Sequence, residues 1–137
     1  MSSVTLKKQI EIIIKKKMLF SPEDVSRIRL LLGYEEFPKY EQDLIIALEK
    51  IKDEIRYDRV IALVDKIEEI DGKIQQYVEK LYVVEVEGIK LQYQSIIDGL
   101  KKEGTRRLKE LAHQTALDVR YNPFKGGGQG FSFVSIP

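Results

Sequence analysis

Apolar positions recur at helical spacing along most of the chain, and the recurrence changes phase at a few identifiable places. Leu6, Ile10, Ile13, Ile14 and Leu19 or Phe20 fall roughly on one face, with Lys7, Lys8, Lys15 and Lys16 beside it, which predicts a short helix over residues 6–20. Ser21-Pro22-Glu23-Asp24 reads as a restart. Serine accepts from free backbone amides as N-cap, proline at the first helical position gives up no needed donor, and two acids sit at the positive end of the dipole. The second helix carries Val25, Ile28, Leu31 and Leu32, and Gly33 is placed to end it in the left-handed conformation.

A third helix is expected from near Pro38, with Leu44, Leu48, Ile51 and Ile55 in phase. The phase slips at 56–59, which a kink, a stutter or a true break would each explain. Val60, Leu63, Ile67, Ile70, Ile74, Tyr77 and Leu81 then alternate spacings of three and four, a heptad a/d pattern. Lys66, Lys73 and Lys80 share position g, while Val64 and Val78 at e widen the stripe to bundle width. Val83 to Glu87 reads either as a turn between antiparallel helices or as more helix. The last helix is expected from about Ile89 to Val119, with Ile89, Tyr93, Ile96, Leu100, Leu108, Leu111 and Thr115 in phase and Gly99 and Gly104 weakening it or marking a bend or close contact.

From Arg120 the character changes. Asn122-Pro123 is turn-prone and bracketed by Tyr121 and Phe124, and Lys125-Gly126-Gly127-Gly128-Gln129-Gly130 cannot sustain a helix. Phe131, Phe133, Val134 and Ile136 follow in a weakly charged run. Solvated tails are poor in aromatic residues, so these side chains call for burial. An extended peptide docking on a partner satisfies that need, and so does a tail folded back on its own helices. The pattern thus predicts an all-α chain: a helical bundle over 1–119 built on a long antiparallel helical hairpin, then an extended glycine-rich docking tail over 120–137. On that division, deletion after Val119 leaves melting intact.

Composition narrows the function classes. The chain of 137 residues suits one domain and has no cysteine, which excludes disulfides and thiolate zinc sites. Net charge is +1 with 33% charged residues, not the balance of a nucleic-acid binder. The charge is uneven, however: Val4 to Phe20 holds five lysines and one glutamate. Lys7, Lys8, Lys15, Lys16 and Lys17 could face a phosphate backbone or membrane surface, or simply solvate the flank of a packed helix. The lysine-flanked triplet Ile12-Ile13-Ile14 lacks the cleavage site of a secretory signal, and no apolar run approaches the roughly 18 residues of a membrane span.

Catalytic chemistry finds little footing. Glu110-Leu111-Ala112-His113 has the Glu-x-x-His spacing of carboxylate-bridged metal bundles, but the heptad stripe offers only Asp71, on its flank, as a further carboxylate. His113 is the sole histidine, no motif places a serine beside it, and the glycine run lacks the Gly-Lys-Ser/Thr ending of a phosphate loop. The expectation is a protein with no enzymatic activity, no metal and no cofactor.

The bundle from Leu6 to Val119 and the arm from Arg120 to Pro137 together resemble the head-to-tail adaptor (connector) proteins of tailed-phage necks. The resemblance lies in architecture rather than in a diagnostic motif. It implies a structural virion protein that forms a homo-oligomeric ring. It further implies that the arm attaches to the portal or to a neighbouring neck or tail protein, close to DNA but not to membrane. The partner-docking residues would be Tyr121, Phe124, Phe131, Phe133, Val134 and Ile136. The alternative is a cytoplasmic helical protein that binds nucleic acid or a membrane surface through its basic first helix. Salt separates the two, because phosphate binding weakens steeply with ionic strength and aromatic docking does not.

Overall fold

The computed structural model describes residues 18–124, so the basic positions Lys7, Lys8, Lys15, Lys16 and Lys17 and the tail positions Phe131, Phe133, Val134 and Ile136 lie outside the described residues. Among the described residues the architecture is all-α: α1 Pro22–Leu32, α2 Glu41–Glu49, α3 Glu54–Val83 and α4 Glu87–Thr115, with 3-10 turns at Tyr34–Glu36 and Pro38–Tyr40. Helices α3 and α4 form a long hairpin. Tyr77 meets Tyr93 with ring centroids 5.7 Å apart, and Arg56 reaches the Gln114 carbonyl at 3.0 Å, so the two helices run antiparallel.

Helix α1 begins as its sequence dictates. Ser21 Oγ accepts from the Asp24 amide at 3.1 Å while the Ser21 amide donates to Asp24 Oδ2 at 3.2 Å, a reciprocal capping box. Gly33 ends it at φ 81°. A β-carbon there would also lie 2.5 Å from the Tyr121 backbone nitrogen, so glycine serves both the left-handed turn and the close approach. The helix lies on the base of the hairpin: Tyr57 Oη donates to Asp24 Oδ2 at 3.0 Å, and Arg27 Nε donates to Glu68 at 3.0 Å. The Arg27 guanidinium is held protonated by its hydrogen bonds to Glu68 and then Asp65. Such solvent-facing pairs contribute at most about 1 kcal/mol each, so they fix the orientation of α1 more than they stabilise it.

The phase slip is a true break, and it falls earlier than 56–59. Helix α2 closes at Lys50, and Asp53 caps α3 by accepting from the Ile55 amide at 3.0 Å. Ile55, expected to continue the α2 stripe, is 65% exposed because it sits in the first turn of the next helix. Polar Lys52-Asp53 supplied the cap, a local signal that the apolar count overlooked.

The core follows the heptad stripe with one shift, in which Val64 at e is enclosed and Leu63 at d is only partly buried. Val60, Val64, Ile67, Ile70 and Ile74 are buried on α3, facing Ile97, Gly104, Leu108, Leu111 and Ala112 on α4. Ile97, rather than the expected Ile96, is the buried isoleucine. The stripe runs Tyr93, Ile97, Leu100, Gly104, Leu108, and Gly104 has no side chain for a hydrophobic pattern to register. Helix α4 ends at Thr115, short of Val119, because Ala116 takes the left-handed conformation at φ 59° and Leu117 N–H returns to the Ala112 carbonyl at 3.0 Å.

The two glycines of α4 differ. A β-carbon at Gly99 meets nothing within 4 Å, whereas one at Gly104 would lie 2.8 Å from ring carbons of Phe124. Gly99→Ala is expected to stabilise the protein by up to about 1 kcal/mol through helix propensity. Gly104→Ala gains the same propensity but overpacks a buried ring at about 1–3 kcal/mol, so its net effect is destabilising. Thermal melts of the two variants should shift in opposite directions.

Candidate docking surfaces

The chain does not leave the bundle at Arg120. The amides of Arg120 and Tyr121 donate to the Leu32 carbonyl at 2.8 and 3.3 Å, close to the end of α1. The Arg120 guanidinium lies 3.6 Å from the centroid of the Tyr40 ring, a cation–π contact that ties the segment to the turn before α2. Asn122 Nδ2 donates to Thr105 Oγ1 at 3.1 Å, and Asn122 Oδ1 accepts from the Phe124 amide at 2.9 Å, so Asn122-Pro123 turns the chain onto α4. Phe124 is only 4% exposed and sits in the notch that Gly104 leaves in α4.

These contacts correct two sequence expectations. The bundle extends to Phe124 rather than stopping at Val119. Phe124 was expected to dock on a partner, but it belongs to the chain's own core, because a glycine notch one helix away offers its ring a site. Tyr121 is half-exposed, with its backbone pinned against Gly33.

Among the described residues three surface cavities border this clamp, the smallest, of about 330 Å³, lying among Lys101, Lys102, Lys109 and Phe124. One, of about 540 Å³, has an apolar floor that includes Leu30, Leu31, Pro123 and Phe124, and an acidic rim of Glu35, Glu36 and Asp71. Loss of solvent, and then the nearby Glu68 charge, push the Asp71 carboxyl above its ordinary range. The third, of about 500 Å³, lies at the base of the hairpin between α2 and the end of α4. Its apolar lining includes Ile46, Ala47 and Leu117, and its cations are Lys50, Arg56 and Arg120. Asp43 and Asp118 also line it.

A further feature was only half-legible in sequence. Val83 is the last residue of α3 and Val84-Glu85-Val86 is the connection to α4. Tyr82 is 70% exposed, Val83 79%, Val86 60% and Leu91 66%. Above Gly104 the described hairpin is two helices alone, so Tyr77, Val78, Leu81, Tyr93 and Leu100 are no more than partly buried. The tip of the hairpin therefore exposes an unusual share of large apolar side chains among the described residues.

Glu110 and His113, whose Glu-x-x-His spacing the sequence argued against as a metal site, lie at the surface of α4. Glu110 pairs with Arg106 at 3.3 Å and His113 is exposed. Among the described residues no group of three or more His, Cys, Asp or Glu is placed to hold a metal ion, and no helix is long and apolar enough to cross a membrane.

The class these features define is an all-α hairpin bundle whose C-terminal segment is clamped across the base of the hairpin. No family model, curated protein or solved structure matches the chain.

Proposed function

We propose that the chain is a structural assembly subunit, a head-to-tail adaptor of a phage neck, that forms a homo-oligomeric ring in the virion and docks its C-terminal tail on a neighbouring protein such as the portal. What supports the reading is the clamp at residues 120–124. Hydrogen bonds to Leu32 and Thr105 and the buried Phe124 ring give the tail a fixed origin on the bundle. The glycine-rich stretch 125–130 then supplies reach, up to roughly 20 Å when extended, before Phe131, Phe133, Val134 and Ile136. A fixed origin, a permissive linker and an aromatic end are the parts that an arm needs to engage a second protein.

The test is attachment of the full chain to its assembly, measured by pull-down or reconstitution. The double variant Phe131→Ser/Phe133→Ser should fold normally and lose attachment. Each ring buried in a partner is worth about 2–3 kcal/mol, so the pair changes affinity by a few orders of magnitude. Gln129→Ser should have little effect. Normal incorporation of the double-serine variant would remove the aromatic tail as the docking element.

A further inference from the structure

The exposed tip of the hairpin and the basic cavity at its base are complementary in chemistry and lie at opposite ends of one molecule. We propose that the tip of one copy seats in the basal cavity of the next, a head-to-tail contact between identical chains. The inference rests on the reading of the chain as a self-assembling subunit and names the surfaces that join.

The tip presents Val83 and Val86 to solvent with the carboxylates of Glu85 and Glu87 among them. Neither glutamate forms an ion pair among the described residues. A cluster of bare valines beside bare carboxylates favours a socket that is apolar and cationic. The basal cavity offers both. Ile46 stands 45% exposed at its wall, and Lys50, Arg56 and Arg120 line it. Arg120 pairs with Asp118 at 3.7 Å, and Asp43 is the remaining acid, so the cations outnumber the acids.

One buried group lacks a partner. Arg120 Nε is enclosed and has no hydrogen-bond acceptor. Nε itself is closed to an incoming group, so a carboxylate arriving from outside, the acceptor that a guanidinium takes most readily, can meet only the part of the Arg120 side chain that remains 27% exposed. Arg56 gives its Nε to the Gln114 carbonyl and forms no ion pair among the described residues, so its terminal nitrogens remain for the same carboxylate.

Geometry assigns the contact to two copies. Tip and cavity are separated by nearly the whole of α3, a helix of 30 residues and hence roughly 40 Å or more. No tip can reach its own cavity. The cavity rimmed by Glu35, Glu36 and Asp71 is excluded as the socket by charge, since it carries the sign of the tip, and a smaller cleft of about 330 Å³ among Lys101, Lys102 and Lys109 has the right charge but only Phe124 as apolar lining for the valines. A contact between two different surfaces of one protein is heterologous. It propagates into a ring where the rotation closes and into a filament where it does not.

A charge swap on the full-length chain tests this. Mass is measured against concentration for the wild type, for Glu85→Lys/Glu87→Lys and for Lys50→Glu/Arg56→Glu, with helicity and melting checked for each. The wild type should grow beyond a dimer as concentration rises, and each double variant should associate at least tenfold more weakly. An equimolar mixture of the two variants should recover association, since the basic tip of one then meets the acidic cavity of the other. Because Arg56 also caps the end of α4, Lys50→Glu alone is carried beside the double variant and should weaken association in the same direction. Wild-type association unmoved by either swap would overturn the proposal while leaving a subunit that assembles through other faces. Failure of two well-folded variants to rescue each other would also overturn it. A wild type that stays monomeric at high concentration yet attaches to its larger assembly through its tail would overturn the tip contact and leave the adaptor reading standing.

Discussion

Truncation after Val119 should lower the melting temperature by roughly 10 °C or more, whereas truncation after Phe124 should leave it unchanged. The two deletions differ by five residues, and those five carry the clamp. Phe124 is buried against Gly104, and removing a buried phenylalanine costs about 3–5 kcal/mol. The shorter chain also strips the Leu32 carbonyl of two amide donors and removes the Arg120 guanidinium from the Tyr40 ring. Against a total stability on the order of 5–15 kcal/mol, that loss is large enough to show without ambiguity in a calorimetric or circular-dichroism melt. Equal melting of both truncations would mean that the segment 120–124 does not pack on the bundle.

Ile67→Asp should unfold the bundle or reduce it to a loosely packed state. Ile67 is fully enclosed at the centre of the α3 stripe. An unpaired carboxylate there loses its hydration with no compensating partner, at a cost of several kcal/mol, a large part of the whole stability. Lys73→Asp gives the contrast. Lys73 lies on the flank of the same helix, half-exposed, with Glu69 at 3.6 Å, and the loss of that surface pair is worth about 0.5 kcal/mol. Far-ultraviolet circular dichroism with a urea titration separates the two variants. Similar behaviour would show that the heptad register is misassigned, since the two positions differ only in which face of α3 they occupy.

The clamp also bears on how the proposed arm works. On the proposed reading, an arm held at Phe124 searches a smaller volume than one hinged at Val119, and the six residues from Lys125 to Gly130 would set its reach. Effective concentration at a partner site falls to nothing when a linker cannot span the gap. On that reading, shortening Gly126-Gly127-Gly128 should weaken attachment and leave the melting temperature unchanged, so the truncation pair and the linker series separate folding from docking.

The residue pattern alone was sufficient for the all-α class and for most of the main seam, though not for every helix boundary. The spacings of three and four from Val60 to Ile74 name four of the five residues buried on α3, because a helix can hide only one stripe and the stripe is written in side chains; Leu63, expected at d, is only partly buried, and Val64, on the e flank, is enclosed in its place. Ser21, Pro22 and Gly33 mark the ends of α1 for equally local reasons, since caps and left-handed turns depend on a few neighbouring atoms. Other features were decided by contacts between residues distant in sequence. Gly104 is a core position only because Phe124, twenty residues later, returns to fill it, and a glycine carries no hydrophobic signal of its own. Phe124 and Phe131 look alike as aromatic residues near a glycine run, yet Phe124 has a notch to enter. The basal cavity draws on α2, the start of α3 and the end of α4 together, and its unpaired Arg120 nitrogen exists only once burial has removed the water. Local pattern determines which face of an element is apolar. The tertiary arrangement decides which of those faces are covered, because burial is a property of what lies opposite.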